Sequence, residues 1–190
     1  MTVADIAVRY GRSTSRAEVA RSVQPHYRRL RSGLYVHEDR PLRGDIDLYS
    51  IANRLYSPSY VSLYSALQYY SLIPEQVYEV TSISTRKTKR MEVGRTRYSY
   101  RHLKPSLFFG YEPVPWLDDT YNIAYPEKVL LDFAYLEPNF SDSGWLEGLR
   151  LDEFTLREDL NWYRMYLFAL AFGSQTVLDR IVLLIKTYEL

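Results

Sequence analysis

Residues 77–102 read VYEVTSISTRKTKRMEVGRTRYSYRH. In 77–84, Val77, Glu79, Thr81 and Ile83 alternate with Tyr78, Val80, Ser82 and Ser84. A period of two, rich in β-branched residues, predicts a strand. Met91 to Val93, Gly94 and the arm 96–102 predict a hairpin, since glycine supplies the positive φ that a tight turn needs. In the second arm Arg95, Arg97, Ser99 and Arg101 share one face, and Thr96, Tyr98, Tyr100 and His102 share the other.

Working outward, helical spacing takes over on both sides. Asp45 can cap a helix that turns Leu48, Ile51, Ala52 and Leu55 to one face. Ser57-Pro58 predicts a further helix with proline at its first position. Val61, Tyr64, Ala66, Leu67 and Tyr70 make that helix apolar nearly all round, and Leu72-Ile73-Pro74 ends it. Downstream, 107–111 reads as a short strand. Pro126 opens a helix with Val129, Leu130, Phe133 and Ala134 inward, and 145–151 reads as a short helix or turn. Leu156, Leu160, Tyr163, Leu167 and Leu170 predict one amphipathic helix. After Gly173-Ser174 a last helix carries Val177, Leu178, Ile181, Val182, Leu184 and Ile185.

The first 43 residues carry a different signal. Val3, Ile6, Ala7 and Tyr10 follow helical spacing behind Thr2 and Asp5, and Gly11 is a good stop. Ser15 and Glu18 form a capping box for a second helix with Ala17, Val19, Ala20 and Val23 inward. Arg28, Arg29 and Arg31 follow, then Gly33 and the extended segment Leu34-Tyr35-Val36. Helix, turn, helix, basic stretch and short strand is the order of a winged helix-turn-helix. Residues 38–45 read as a linker or wing exit. The expected fold class is α+β: a shortened winged helix-turn-helix element over 1–43, then a mixed α/β domain with C-terminal helices over 44–190.

Composition bounds the chemistry. The 190 residues contain no cysteine, which rules out disulfides, a thiolate zinc site, an iron–sulfur cluster and a cysteine nucleophile. The longest apolar run, 165–172, is far below the roughly 20 residues that span a bilayer. With no secretory signal in 1–11, the expected location is the cytoplasm and no membrane partner is expected. Net charge is +1, yet residues 1–105 hold 18 Lys and Arg against 9 Asp and Glu, whereas 106–190 hold 6 against 14. A basic half of this kind suits a polyanion, although two differently solvated surfaces would give the same count.

Double-stranded DNA is the polyanion that the helix order suggests. Arg28, Arg29 and Arg31 are candidate phosphate contacts, and Arg16 and Arg21 candidate base contacts, since arginine pairs bidentately with guanine. Arg86, Lys87, Lys89 and Arg90 would extend the footprint, unless they only solvate a sheet edge. An enzymatic reading rests on Glu127, Lys128 and Asp132, a nuclease-like set of residue types. Acids at a helix start are favoured by its dipole in any case, so these are read as structural. His26, His37 and His102 lack metal-ligand spacing, and His102 reads as a half-buried sheet residue. No phosphate loop or nucleophile elbow is present, so no cofactor and no enzymatic activity are expected. Trp145, Trp162 and the many tyrosines leave a protein-docking module as the alternative.

Several blocks together resemble the AbiEi antitoxin family. They are 51–63 (IANRLYSPSYVSL), 65–75 (SALQYYSLIPE), 81–89 (TSISTRKTK), 100–105 (YRHLKP) with 108–111 (FFGY), and 123–132 (IAYPEKVLLD). The resemblance implies a winged helix-turn-helix that represses its own operon at inverted repeats. It also implies a C-terminal domain tied to antitoxicity against a nucleotidyltransferase-like toxin, in abortive-infection defence against phage. Direct contact with that toxin is not implied. Such repressors commonly act as homodimers on repeated half-sites. This chain departs from the family in its short N-terminal segment and in Ser71, which stands where the family usually carries glycine.

Overall fold

The computed structural model describes residues 27–31, 34–37, 45–116 and 119–190. The helices expected over 1–26 and nearly all of the linker expected over 38–45 lie outside the described residues, and so do Arg16 and Arg21. Tyr27–Arg31 (β1) and Leu34–His37 (β2) form an antiparallel two-stranded sheet. Arg28 lies across from Val36 and Arg29 from Tyr35, with a register shift before Arg31. The basic run is therefore itself a strand, where the sequence placed only 34–36 in an extended segment.

The rest is a mixed α/β structure. Helix α1 (Asp45–Leu55), β3 (Ser59–Val61), α2 (Leu63–Tyr69) and β4 (Glu79–Ser84) precede the hairpin of β5 (Lys89–Val93) and β6 (Thr96–His102). A second hairpin, β7 (Tyr111–Trp116) and β8 (Asp119–Ala124), leads into α3 (Pro126–Leu136). Helices α4 (Ser143–Gly148), α5 (Glu153–Glu158), α6 (Trp162–Phe172) and α7 (Gln175–Thr187) close the chain. Among the described residues this makes seven α-helices around a six-stranded sheet of order β5-β6-β4-β3-β8-β7.

The sheet is mixed: β4 runs parallel to β6 and β3 parallel to β8, while the other neighbours are antiparallel. Paired residues point to the same side, so the register defines two faces. Tyr60, Ile83 and Arg101 share one face; Arg101 reaches the Leu136 carbonyl at the end of α3 at 3.0 Å. Val61, Ser82 and Tyr100 share the other; Tyr100 donates to the Ala52 carbonyl of α1 at 2.8 Å. Both faces are covered, and β4 is buried from Val80 to Ser84.

Tyrosine fills this core. Tyr60, Tyr98, Tyr100 and Tyr121 are all among its largest buried side chains. A buried phenol needs a hydrogen-bond partner. Tyr49 donates to the Ser65 carbonyl, Tyr70 to that of Ala124 and Tyr188 to that of Leu146. Burial pushes the Tyr98 phenol up to about 12, because the phenolate would lose its water.

The structure departs from four sequence expectations. Ser57-Pro58 opens no helix: Ser59–Val61 is a strand, held between β4 and β8, and α2 starts at Leu63. Tertiary pairing outweighs local spacing where an aromatic and a β-branched residue adjoin. Residues 107–111 are no strand: Pro105–Leu107 is a 3-10 turn, and the strand begins at Tyr111. The helix expected across 156–170 breaks at 159–161, where Asn161 caps α6 by accepting from the Arg164 amide at 2.9 Å. The buried face of α6 is Met165, Ala169 and Phe172, while Tyr163, Leu167 and Leu170 face outward.

Ser71 follows α2 with φ +56°. That is left-handed backbone, which costs a residue with a Cβ about 1–2 kcal/mol. Ser71→Gly is expected to raise the stability by about 1 kcal/mol, read as a shift in the urea midpoint at constant slope. An unchanged or lowered midpoint would contradict this.

Candidate nucleic-acid interface

The site forms where α1 ends and β4 turns toward β5. Tyr56 follows α1 directly and lies over the inner sheet, its ring 5.0 Å from that of Tyr100. Its hydroxyl donates to the Lys87 carbonyl at 3.0 Å. This fixes the loop 85–88. The Arg86 guanidinium lies 4.3 Å above the Tyr56 ring and donates to the Ser57 carbonyl at 3.2 Å. The Lys89 ammonium stands 5.4 Å from the same ring. A cation over an aromatic face contributes roughly 0.5–1 kcal/mol at an exposed site.

His102 closes the loop from the end of β6. Its amide donates to the Thr88 hydroxyl at 3.2 Å, and its Nδ1 lies 3.1 Å from the Arg86 carbonyl. A carbonyl only accepts, so Nδ1 carries the proton and Nε2 is left for another partner. His102 is exposed, not half-buried as its strand position suggested. Tyr56, Thr85, Arg86, Lys87, Thr88 and His102 line an open cleft of about 600 Å³.

Arg86, Lys87, Lys89 and Arg90 are all exposed. Among the described residues no carboxylate pairs with any of them: the ion pairs are Lys128–Asp132, Arg150–Glu75, Arg157–Glu153 and Arg164–Glu127. The cleft therefore presents unneutralised positive charge beside an aromatic ring. Arg28, Arg29 and Arg31 lie on β1, in the separate two-stranded sheet. The sequence marked the cations of the cleft but missed Ser57, which meets Arg86 from 29 residues upstream, and Tyr56, which meets Lys87 from 31.

Glu127, Lys128 and Asp132 occupy a different place. All three are fully buried at 0% exposure. Pro126 starts α3, and Glu127 accepts from the Asn161 amide at 2.6 Å and from Arg164 at 2.8 and 3.1 Å. Glu127 thereby clamps the start of α6 to the start of α3. Lys128 pairs with Asp132 one turn on and donates to the Tyr60 hydroxyl at 2.8 Å. Asp132 accepts also from Ser62 at 2.8 Å and from Tyr60 at 3.1 Å. Burial works against both charges, pushing Lys128 down and Asp132 up, while their attraction and hydrogen bonds oppose it. Burial and the Asp132 charge both hold the Tyr60 phenol well above its ordinary value.

Gly110 completes this node. Its φ is +72°, and a Cβ there would stand 3.1 Å from the Lys128 stem and 3.0 Å from Phe168. Glycine lets the chain pass close over the lysine and turn into β7.

The chain matches no family model and no curated protein. Among the described residues, no helix is long and apolar enough to cross a membrane, and no three His, Asp or Glu side chains are placed to hold a metal.

Removing one member of a buried ion pair strands the other charge at a cost of about 3–5 kcal/mol. Lys128→Met and Asp132→Asn are each expected to lose about that much in urea denaturation. The double variant Lys128→Met/Asp132→Asn is expected to lose clearly less than the two combined. Additive losses would contradict the coupling.

Proposed function

We propose that this chain is a DNA-binding regulator of the antitoxin type. In this reading it represses its own toxin–antitoxin operon and counteracts a nucleotidyltransferase-like toxin. The observation that carries the DNA-binding part is the cleft lined by Arg86 and Lys87, with Arg86 and Lys89 over the Tyr56 ring and no carboxylate paired with them among the described residues. Phosphates supply most of the affinity of such contacts and little sequence choice.

Sequence choice is assigned to the N-terminal segment. In a winged helix-turn-helix the β1–β2 hairpin would be the wing, with Arg28, Arg29 and Arg31 on phosphates and Arg16 and Arg21 toward base edges. The antitoxin assignment rests on the sequence blocks that resemble the AbiEi family, two of which, 51–63 and 81–89, include Tyr56, Arg86, Lys87 and Lys89. The cytoplasmic location belongs to the same reading. No catalytic role is assigned to Lys128 and Asp132, whose polar groups are turned on one another inside the core.

A second reading, a protein-docking module without operator binding, is favoured by one observation. Tyr163, Tyr166, Leu167 and Leu170 form an exposed apolar stripe along α6, at 71, 56, 44 and 51% exposure. A stripe of that kind suits a protein partner or a second copy of this chain.

Anisotropy titrations with duplex DNA from upstream of the gene, against a scrambled duplex, separate the two at several salt concentrations. A regulator binds its own sequence more tightly, with a steep fall as salt rises. Arg86→Ala and Lys89→Ala are expected to weaken both duplexes alike and to reduce the salt slope by about one each. Equal binding of wild type and both variants would contradict the assignment of the cleft.

A further inference from the structure

A second cleft, of about 410 Å³, borders the neighbouring residues 57–59. Asn53, Ser57, Ser59, Phe108 and Tyr111 line it. Its size is within the range of small-molecule sites. Two of its polar groups are buried with no hydrogen-bond partner among the described residues: the Asn53 Nδ2 and the Ser59 hydroxyl. Ser59 is only 3% exposed. Such groups destabilise the fold when left unpaired, so each marks the place of a missing partner.

The orientation of Asn53 follows from its neighbour. Its Oδ1 accepts from the Asn122 backbone amide, which can only donate. The Nδ2 group is thereby fixed as an unused donor. Ser59 adds a hydroxyl that both donates and accepts. Phe108 and Tyr111 supply aromatic surface at the same cleft, their rings 5.3 Å apart. A planar ring edged with hydrogen-bond acceptors and donors matches this set, and a nucleobase is such a ring.

The cationic cleft lies at the right place for the rest of a nucleotide. Ser59 pairs with Ser84 and Ser84 with His102, so the three stand in one row across β3, β4 and β6. Adjacent strands are about 4.8 Å apart, which puts Ser59 and His102 roughly 10 Å from each other. Arg86 bridges the two clefts through its bond to the Ser57 carbonyl, and the Ser84 hydroxyl donates to the Pro58 carbonyl at 2.6 Å.

We propose that the Asn53–Ser59 cleft is a nucleobase pocket that takes the unpaired base of a nucleotide whose phosphate lies at Arg86 and Lys87. The phosphate half of this site rests on the nucleic-acid reading given above; the base half rests on Asn53 and Ser59. The nucleotide comes either free or as an unstacked base within a strand.

Calorimetric titrations of the full chain separate the sources. The probes are the four nucleoside monophosphates, a perfectly paired duplex, and the same duplex with one unpaired base. Asn53→Asp keeps the acceptor for Asn122 but loses the donor and adds a negative charge, so its loss counts for the pocket only where the uncharged Ser59→Ala variant also loses affinity. Ser59→Ala is the second variant, and urea midpoints report whether each still folds as wild type.

The pocket predicts that wild type binds a monophosphate, or prefers the duplex with the unpaired base, and that Asn53→Asp abolishes at least about tenfold of that affinity or preference. Monophosphate binding without duplex binding would keep the pocket and overturn the DNA reading. Equal binding of both duplexes by wild type and variants, with no monophosphate bound, would overturn the pocket and leave the DNA reading standing. No binding of any probe would overturn both.

Discussion

Lys128 and Asp132 stand one turn apart on α3, both fully buried, and the fold is arranged around their mutual neutralisation. Two charges inside a core are costly unless they are paired and fully hydrogen-bonded. Tyr60 on β3 and Ser62 just after it supply the remaining bonds. This interaction ties the central strand to the long helix on one sheet face. The rings of Tyr60, Phe109 and Phe172 surround the ammonium at 5.0–5.5 Å, so α6 is joined to the same point. Glu127, the residue before the lysine, holds the start of α6 through Arg164 and Asn161. Three consecutive residues, Pro126-Glu127-Lys128, thus begin a helix, anchor a second one and neutralise the core.

The consequence for function is placement. With β3 fixed from the α3 side, its other face meets α1, and the segment 56–58 between them emerges at one end of the sheet. Tyr56 and Ser57 there receive Arg86 from the β4–β5 loop, and Ser59 lines the neighbouring cleft. One short segment, 56–59, therefore contributes to both a cationic cleft and a polar, aromatic one. The cationic cleft stands apart from the buried ion pair, whereas the second cleft meets it through Phe108 and Tyr111, whose rings pack on Tyr60 at 5.0 and 4.8 Å.

Much of this was legible in the sequence where periodicity and turn chemistry agree. The 89–102 hairpin around Gly94, α1 behind Asp45, α3 behind Pro126 and the last helix follow from such signals. Ser71 was legible as a left-handed position only through the family resemblance, which implies a glycine there. Ser59–Val61 was not, because three residues are too few for a period and their strand state comes from partners 21 to 25 and 62 residues away along the chain. The β7–β8 hairpin lacked an alternating apolar pattern, with Pro113 and Pro115 on its outer strand, where a missing amide is tolerated. Charge counting marked Arg86 to Arg90 but carried no sign of Tyr56 beneath them. The residue types Glu127, Lys128 and Asp132 read equally as chemistry or as support; only their burial and partners separate the two.

The central claim is that nucleic acid is held at the end of the sheet formed by residues 53–59 and 84–102. Hydrogen–deuterium exchange of the full chain, with and without the upstream duplex, tests it most directly. The account predicts slowed exchange in the segments 56–59 and 84–90 and at His102, with the α6 stripe unchanged. Protection confined to residues 163–170, or none at 84–90, would contradict it.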